Sequence, residues 1–438
     1  MKRIWKKIVG TPILTLLGGN AAASALGLLI FALLGRTLSA ADFGLWVLFT
    51  TATSMTDLML KGVIKSAYMW AISTVEEYRK ERIHGASWLL NFVLSIFLCG
   101  LVWALGSVFP KMIAEINLQL FFTFYPAYVV LSIPLNFIVW RCQAEKRFLP
   151  AQAGRLLVNV VFLAILIYGM FNPFHIEEIA AIYALIHGGI GMIFMMVFRY
   201  PLYNIFKVRK SDIQLIWKFG RSSLATLAGG SLLRGTDVYF IGGWLGPEAV
   251  AVYSIPMKLM DILDIPLRSI AIAEFSKLAK AWKNEKPKFL TKLYRLLIIG
   301  SLLSIAVVGS VIVFSDLILN FFGVEDLQMG TYLLLIFSIA MLAMPAEKFL
   351  GIAFDAIGRP DRNALKVWLM LAANILGDFL VLYFFNSIYL VAVVTIVNQL
   401  VGIAYSTRFF NISREELAIS WQHLTVEWRR KMPFPLNP

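Results

Sequence analysis

Residues 38–46 read Leu38-Ser39-Ala40-Ala41-Asp42-Phe43-Gly44-Leu45-Trp46, and Leu245-Gly246-Pro247-Glu248-Ala249-Val250-Ala251-Val252-Tyr253 follows the same pattern at an offset of 207. Carrying that offset forward places Asp57 on Asp264 and Lys61 on Arg268, an acid followed four residues later by a base in each copy. Four residues are about one helical turn, so each couple lies on one face and can form an ion pair. Further along, Pro134 corresponds to Pro345 with the offset grown to 211. The chain is therefore read as two related halves.

Each half is mostly apolar. Of 438 residues, 59% are apolar and 15% charged, against about 45–50% and about 25% in a soluble domain. That excludes a disordered tail, a disulfide scaffold and an ordinary cytosolic enzyme. A spanning helix needs about 20 mostly apolar residues. Windows of that size fall at 13–35, 44–70, 86–109, 117–140, 153–171, 178–198, 218–241, 249–275, 292–314, 327–353, 364–385 and 388–408. The sequence thus predicts an all-α polytopic membrane protein with twelve transmembrane helices. Residues 1–210 form an N-terminal lobe, 211–410 a C-terminal lobe and 411–438 an amphipathic cytoplasmic tail. Six spans per half bring both halves in from the same side, giving a parallel pseudo-two-fold repeat with the substrate site expected between the lobes.

Lysine and arginine set the orientation. With the N-terminus inside, the inner segments hold 32 basic residues, among them Arg359, Arg362 and Lys366 counted to one inner loop, and the outer loops two, Arg36 and Lys111. Both termini are expected to be cytoplasmic. The net charge of +14 divides into +22 on inner segments, −6 on outer loops and −2 within the spans. The excess is topology, not a nucleic-acid surface, and it meets the anionic lipids of the cytoplasmic leaflet. The segment Phe275–Arg295, with Lys277, Lys280, Lys283, Lys286, Lys288 and Lys292, is read as a basic inner loop or a short amphipathic helix on headgroups.

Charges inside the spans are the informative feature, because each costs several kcal/mol unless it faces a bundle interior or water. Lys61, Lys65, Arg234, Lys258, Arg268 and Lys348 stand beside Asp57, Asp237, Asp261, Asp264, Glu274, Glu347, Asp355 and Asp378. Thr50, Ser54, Asp57, Lys61 and Lys65 line one face of the second span, and Lys258, Asp261, Asp264 and Arg268 one face of the eighth. Two readings stay open: neutral ion pairs that fix helix packing, for which Arg234–Asp237 is a candidate, or a wet cavity that takes a ligand. Lys65, near an inner end, could equally snorkel.

The remaining features carry less. Cys99 and Cys142 sit in apolar surroundings and read as packing residues, and the four histidines have no metal-ligand spacing. The basic N-terminus imitates a secretory leader, yet its apolar run continues through Leu34, so an uncleaved first span is expected. Pro126, Pro134, Pro256, Pro266 and Pro345 lie inside spans and allow kinks. In the tail, Ser413 and Glu416 form a capping-box pattern ahead of Leu417, Trp421, Leu424 and Trp428, an interfacial helix.

The stretch Arg36-Thr37-Leu38-Ser39-Ala40-Ala41-Asp42-Phe43-Gly44 resembles the hallmark between the first two helices of the bacterial polysaccharide transporter (Wzx-type, oligosaccharide flippase) family. Leu245-Gly246-Pro247-Glu248-Ala249-Val250 is similar to that family's matching second turn, and Gln143 to Phe148 and Gly358-Arg359-Pro360 resemble its loops after helices four and ten. The resemblance covers essentially the whole chain and extends to the multidrug/oligosaccharidyl-lipid/polysaccharide (MOP) exporter superfamily.

It implies a MATE-like arrangement of two six-helix lobes working by alternating access in a bacterial inner membrane. The implied cargo is an undecaprenyl-diphosphate-linked glycan for O-antigen lipopolysaccharide, exopolysaccharide or capsule, and polysaccharide polymerase machinery is the implied partner. The protein would work as a monomer, with no enzymatic activity, metal or other cofactor. A diphosphate crossing a low-dielectric layer needs cations. Lys61, Arg268, Arg234, Lys258 and Lys348 are the expected phosphate-facing set, with Arg36 near the outer mouth and Lys65 at the inner end of its stripe. Asp57, Asp264, Asp261, Asp237, Glu347 and Asp378 would either neutralise these cations when the site is empty or couple transport to H+ or Na+.

A MATE-type multidrug antiporter is the alternative, but the first span carries no acid. The superfamily's lipid II flippases have fourteen helices rather than twelve. A membrane enzyme would need larger outer loops than these, whose only basic or imidazole groups are Arg36, Lys111 and His175.

Overall fold

The duplicated motif is a helix-start signal in both copies. Ser39 accepts the Asp42 amide at 3.1 Å and donates its hydroxyl to the Asp42 carboxylate at 2.8 Å, which caps the helix Ala40–Thr74. In the second copy Gly246 has φ +91, a left-handed turn that favours glycine. Pro247 then opens the helix Pro247–Asn284, with Glu248 in its first turn, where a negative charge suits the helix dipole.

The computed structural model describes residues 12–198, 202–284, 286–324 and 326–410. Among them every regular element is helical: α1 Pro12–Thr37, α2 Ala40–Thr74, α3 Glu77–Val108, α4 Pro110–Glu115, α5 Gln119–Leu131, α6 Ile133–Ala144, α7 Phe148–Gly169 and α8 Ile176–Val197. A 3-10 turn, Leu202–Lys207, leads to α9 Lys210–Trp244, α10 Pro247–Asn284, α11 Lys286–Val313, α12 Ser315–Phe322, α13 Leu327–Ala356, α14 Pro360–Phe385 and α15 Ile388–Phe410. The tail helix expected over 411–438 and the basic residues 2–7 lie outside the described residues.

Each of the twelve sequence windows falls on one of these helices or on the α5–α6 pair. Among the described residues, nine helices are long and apolar enough to cross a membrane, or ten if α5 and α6, bent by 49° at their break, make one span. Pro134 stands in the first turn of α6, whereas Pro256, Pro266 and Pro345 remain inside continuous helices. The two long helices outside that count, α9 and α10, carry Arg234, Asp237, Lys258, Asp261, Asp264 and Arg268.

Burial runs opposite to that of a soluble protein. Trp103, Phe97, Leu302 and Tyr383 are largely exposed, while Asn374, Asp378, Lys366 and Asp212 are buried. An apolar exterior, with the buried polar groups kept among the helices, is the arrangement a bilayer demands.

The chain forms two compact units. The first holds the described residues up to Ser254 and those from Asn320 to the next break. In it α2 packs along α9 and α1 along α7. Trp46 stacks on Phe162 and meets Tyr183 edge-on, with ring centroids at 5.7 and 5.6 Å. The second unit holds the described residues from Ile255 to Leu319 and from Asp326 onward, and its core includes Leu278, Phe289, Leu293, Phe349, Leu350, Phe354 and Phe410. Several of these come from the segment read as a basic inner loop. It is instead the end of α10 and the start of α11, and its apolar face is buried inside the unit rather than laid on headgroups.

Candidate functional site

In the first unit, the polar stripe of α2 meets aromatic side chains. Tyr128 of α5 donates its hydroxyl to Asp57 at 3.0 Å. The Tyr128 ring stacks on Tyr183 of α8 at 5.5 Å and meets His187 edge-on at 5.0 Å. The side chain of Lys61 lies outside the described residues. Lys65 is half-buried, and the like charge of Arg155 on α7 acts on it. The ion pair considered for Arg234 and Asp237 does not form. Asp237 is buried and accepts the Tyr253 hydroxyl at 2.7 Å. Arg234 is exposed and has no ion-pair partner among the described residues. Arg36 is exposed at the end of α1 and reaches the Asn320 carbonyl at 3.4 Å.

Close backbone approach joins the duplicated motifs within this unit. A Cβ at Gly44 would stand 1.8 Å from the Pro247 carbonyl oxygen, so only glycine lets α2 start there. Nearby, Asn117 donates to the Gly242 carbonyl at 2.9 Å. At the other end, Asp212 is buried and takes Arg79 Nε at 2.7 Å and Arg82 Nε at 3.3 Å, while Lys207 pairs with Glu81 at 2.6 Å. The connection into α9 is thereby fastened to the start of α3.

The second unit holds the densest charge cluster. Asp264 on α10 takes the Arg268 guanidinium one turn later and Lys348 Nζ of α13 at 2.7 Å. Two cations thus share one carboxylate, and the Arg268 side chain remains 52% exposed. Glu347, adjacent to Lys348, pairs with Lys366 Nζ of α14 at 2.6 Å. Lys366, counted from the sequence among the loop cations, is 2% exposed on a helix. Lys258 is half-buried and Asp261 exposed on α10. Asp378 is fully buried, accepting Asn374 Nδ2 at 3.0 Å, and Asn374 Oδ1 in turn accepts Asn398 Nδ2 of α15. This chain of donors ends on a carboxylate and suits either a proton or a small cation. The Asp264 cluster, with two cations and one acid, suits an anion.

A family model described as MatE matches residues 223–380. Among solved structures, the chain is similar to an inward-facing multidrug resistance MATE family transporter of the MOP superfamily, with 14% identity, TM-score 0.72, and 89% of this chain and 94% of that one covered. It is equally similar to an inward closed conformation of the lipid II flippase MurJ, with 12% identity, TM-score 0.72, and 95% and 92% covered. The fold is that of the MOP superfamily transporters. A third MOP superfamily transporter, from Pyrococcus furiosus and described by the reverse polarity of its binding pocket, matches at 15% identity and TM-score 0.63 over 93% and 97%. No curated protein matches the sequence.

Within the MOP fold of this chain, sequence reading missed Tyr128, Tyr253, Asn374, Asn398 and Lys366. Asn374 and Asp378 are one turn apart in an apolar span, a signal that was present. The tyrosines carry no such signal, because their partners lie on other helices.

Proposed function

We propose that this MOP-fold protein is a flippase for an undecaprenyl-diphosphate-linked oligosaccharide, working by alternating access. In this reading twelve helices cross the inner membrane of a bacterium with both termini inside, and the two repeats divide near residue 210. The observation that carries it is the pairing of Arg268 and Lys348 on Asp264. A diphosphate outcompetes one carboxylate for two cations, because it brings more negative charge and more acceptor oxygens. Asp264 thus holds the cations while the site is empty. Lys61, its counterpart by repeat, is assigned the same role on α2, and Arg234 stands without an ion-pair partner among the described residues.

The test is glycan export in a strain lacking the transporter, with reconstituted vesicles for direct flipping of a labelled undecaprenyl-diphosphate glycan. Lys61→Ala/Arg268→Ala is expected to remain folded and to abolish both. Normal flipping by that double variant would sink the reading.

A MATE-type cation antiporter is the second reading. The MatE match over 223–380 and the buried carboxylates Asp237 and Asp378 favour it. Resistance to cationic drugs conferred by the wild type, and lost in Asp378→Asn, would support this alternative.

A further inference from the structure

Glu347 and Lys348 are neighbours on α13, and consecutive helical residues point about 100° apart. Lys348 turns to α10 and Asp264. Glu347 turns to α14, where Lys366 Nζ meets both its carboxylate, at 2.6 Å, and its main-chain carbonyl, at 3.1 Å. The seat for this ammonium is built. A Cβ at Gly351, one turn beyond Glu347, would stand 2.8 Å from Lys366 Nζ and 3.2 Å from Asn363 Oδ1. Asn363 is itself held by Asp355 at 3.0 Å.

Glu347 also feels Lys348 and Asp264 electrostatically. Its charge is opposed by the Lys366 ammonium paired with it. Without Lys366 the cluster of Arg268, Lys348, Asp264 and Glu347 sums to zero. Lys366 offsets Glu347 and leaves Arg268 and Lys348 in excess over Asp264.

We propose that Lys366 sets the polarity of this site: a positioning residue, buried away from any ligand, that neutralises Glu347 and so leaves the Arg268–Lys348 pair receptive to a diphosphate. This rests on the anion reading above and extends it to a residue that makes no contact with cargo. The lever is electrostatic, since a charge added or removed beside the cationic pair shifts its affinity for an anion.

The probe is inorganic pyrophosphate, titrated calorimetrically into the purified full chain in detergent at a fixed, mildly alkaline pH. Lys366→Met is expected to weaken binding on the order of tenfold. Glu347→Gln/Lys366→Met, which removes both charges, is expected to restore it, a recovery that loss of packing could not give. Gly351→Ala is the milder second variant. It dislodges the ammonium and should weaken binding in the wild-type background but not in Glu347→Gln. Undiminished binding in Lys366→Met and Gly351→Ala, or a loss that the double variant fails to restore, overturns the inference while leaving the anion site standing. No pyrophosphate binding by the wild type, or equal binding by Arg268→Gln, overturns the anion reading itself.

Discussion

The Tyr253 hydroxyl donates to Asp237 at 2.7 Å, so this buried carboxylate is held by a phenol from the next helix and not by Arg234 on its own. Tyr128 treats Asp57 the same way. Removing one donor from a charged acceptor costs about 1–3 kcal/mol. Tyr253→Phe and Tyr128→Phe should each lower the melting temperature of the detergent-purified protein. Arg234→Ala should leave that temperature unchanged and act on export alone.

Asp212 anchors the connection into α9 by two arginines and the Arg209 amide, the last at 3.3 Å. Breaking a buried pair by deleting one partner costs about 3–5 kcal/mol. The arginines are partly exposed, so Asp212→Ala should lie at the lower end of that range, with Asp212→Asn milder. Thermal unfolding measures both, and a neutral Asp212→Ala would refute the anchoring role.

Gly44 tolerates no side chain. Gly44→Ala must push the start of α2 off the Pro247 carbonyl, whereas a Cβ at Gly100 meets nothing within 4 Å. The expected result is a lower melting temperature and reduced export for Gly44→Ala, and wild-type values for Gly100→Ala.

Asp378 separates packing from coupling. Asp378→Asn keeps an acceptor for Asn374 Nδ2 and should preserve the fold, while Asn374→Ala removes the link between α14 and α15 and should lower stability. If Asp378 binds the coupling ion, Asp378→Asn abolishes the dependence of export on an H+ or Na+ gradient. Retained dependence on both gradients would make the residue structural.

Local chemistry was legible in the sequence and long-range chemistry was not. The helices declare themselves through apolar run length, and Asp264–Arg268 through its i,i+4 spacing. The third member, Lys348, cannot be read that way, since only the packing of α13 against α10 joins it to Asp264. Lys366 was misplaced for a physical reason: positive-inside counting assigns bases near a turn to water, yet α14 begins at Pro360, so Lys366 already lies more than a turn inside the helix. The segment 275–295 misled likewise, because its lysines mask the apolar face that Leu278, Phe289 and Leu293 bury.

The seam between the two compact units has a mechanical consequence. The first of its three crossings lies between Ser254 and Ile255, inside the unbroken helix α10 and one residue ahead of Pro256. Proline has no amide hydrogen, so the backbone bond that would tie residue 256 to the Val252 carbonyl is missing where the chain changes unit. A residue that restored the missing hydrogen bond, as in Pro256→Ala, would stiffen α10 at this point without touching the charged cluster further along it.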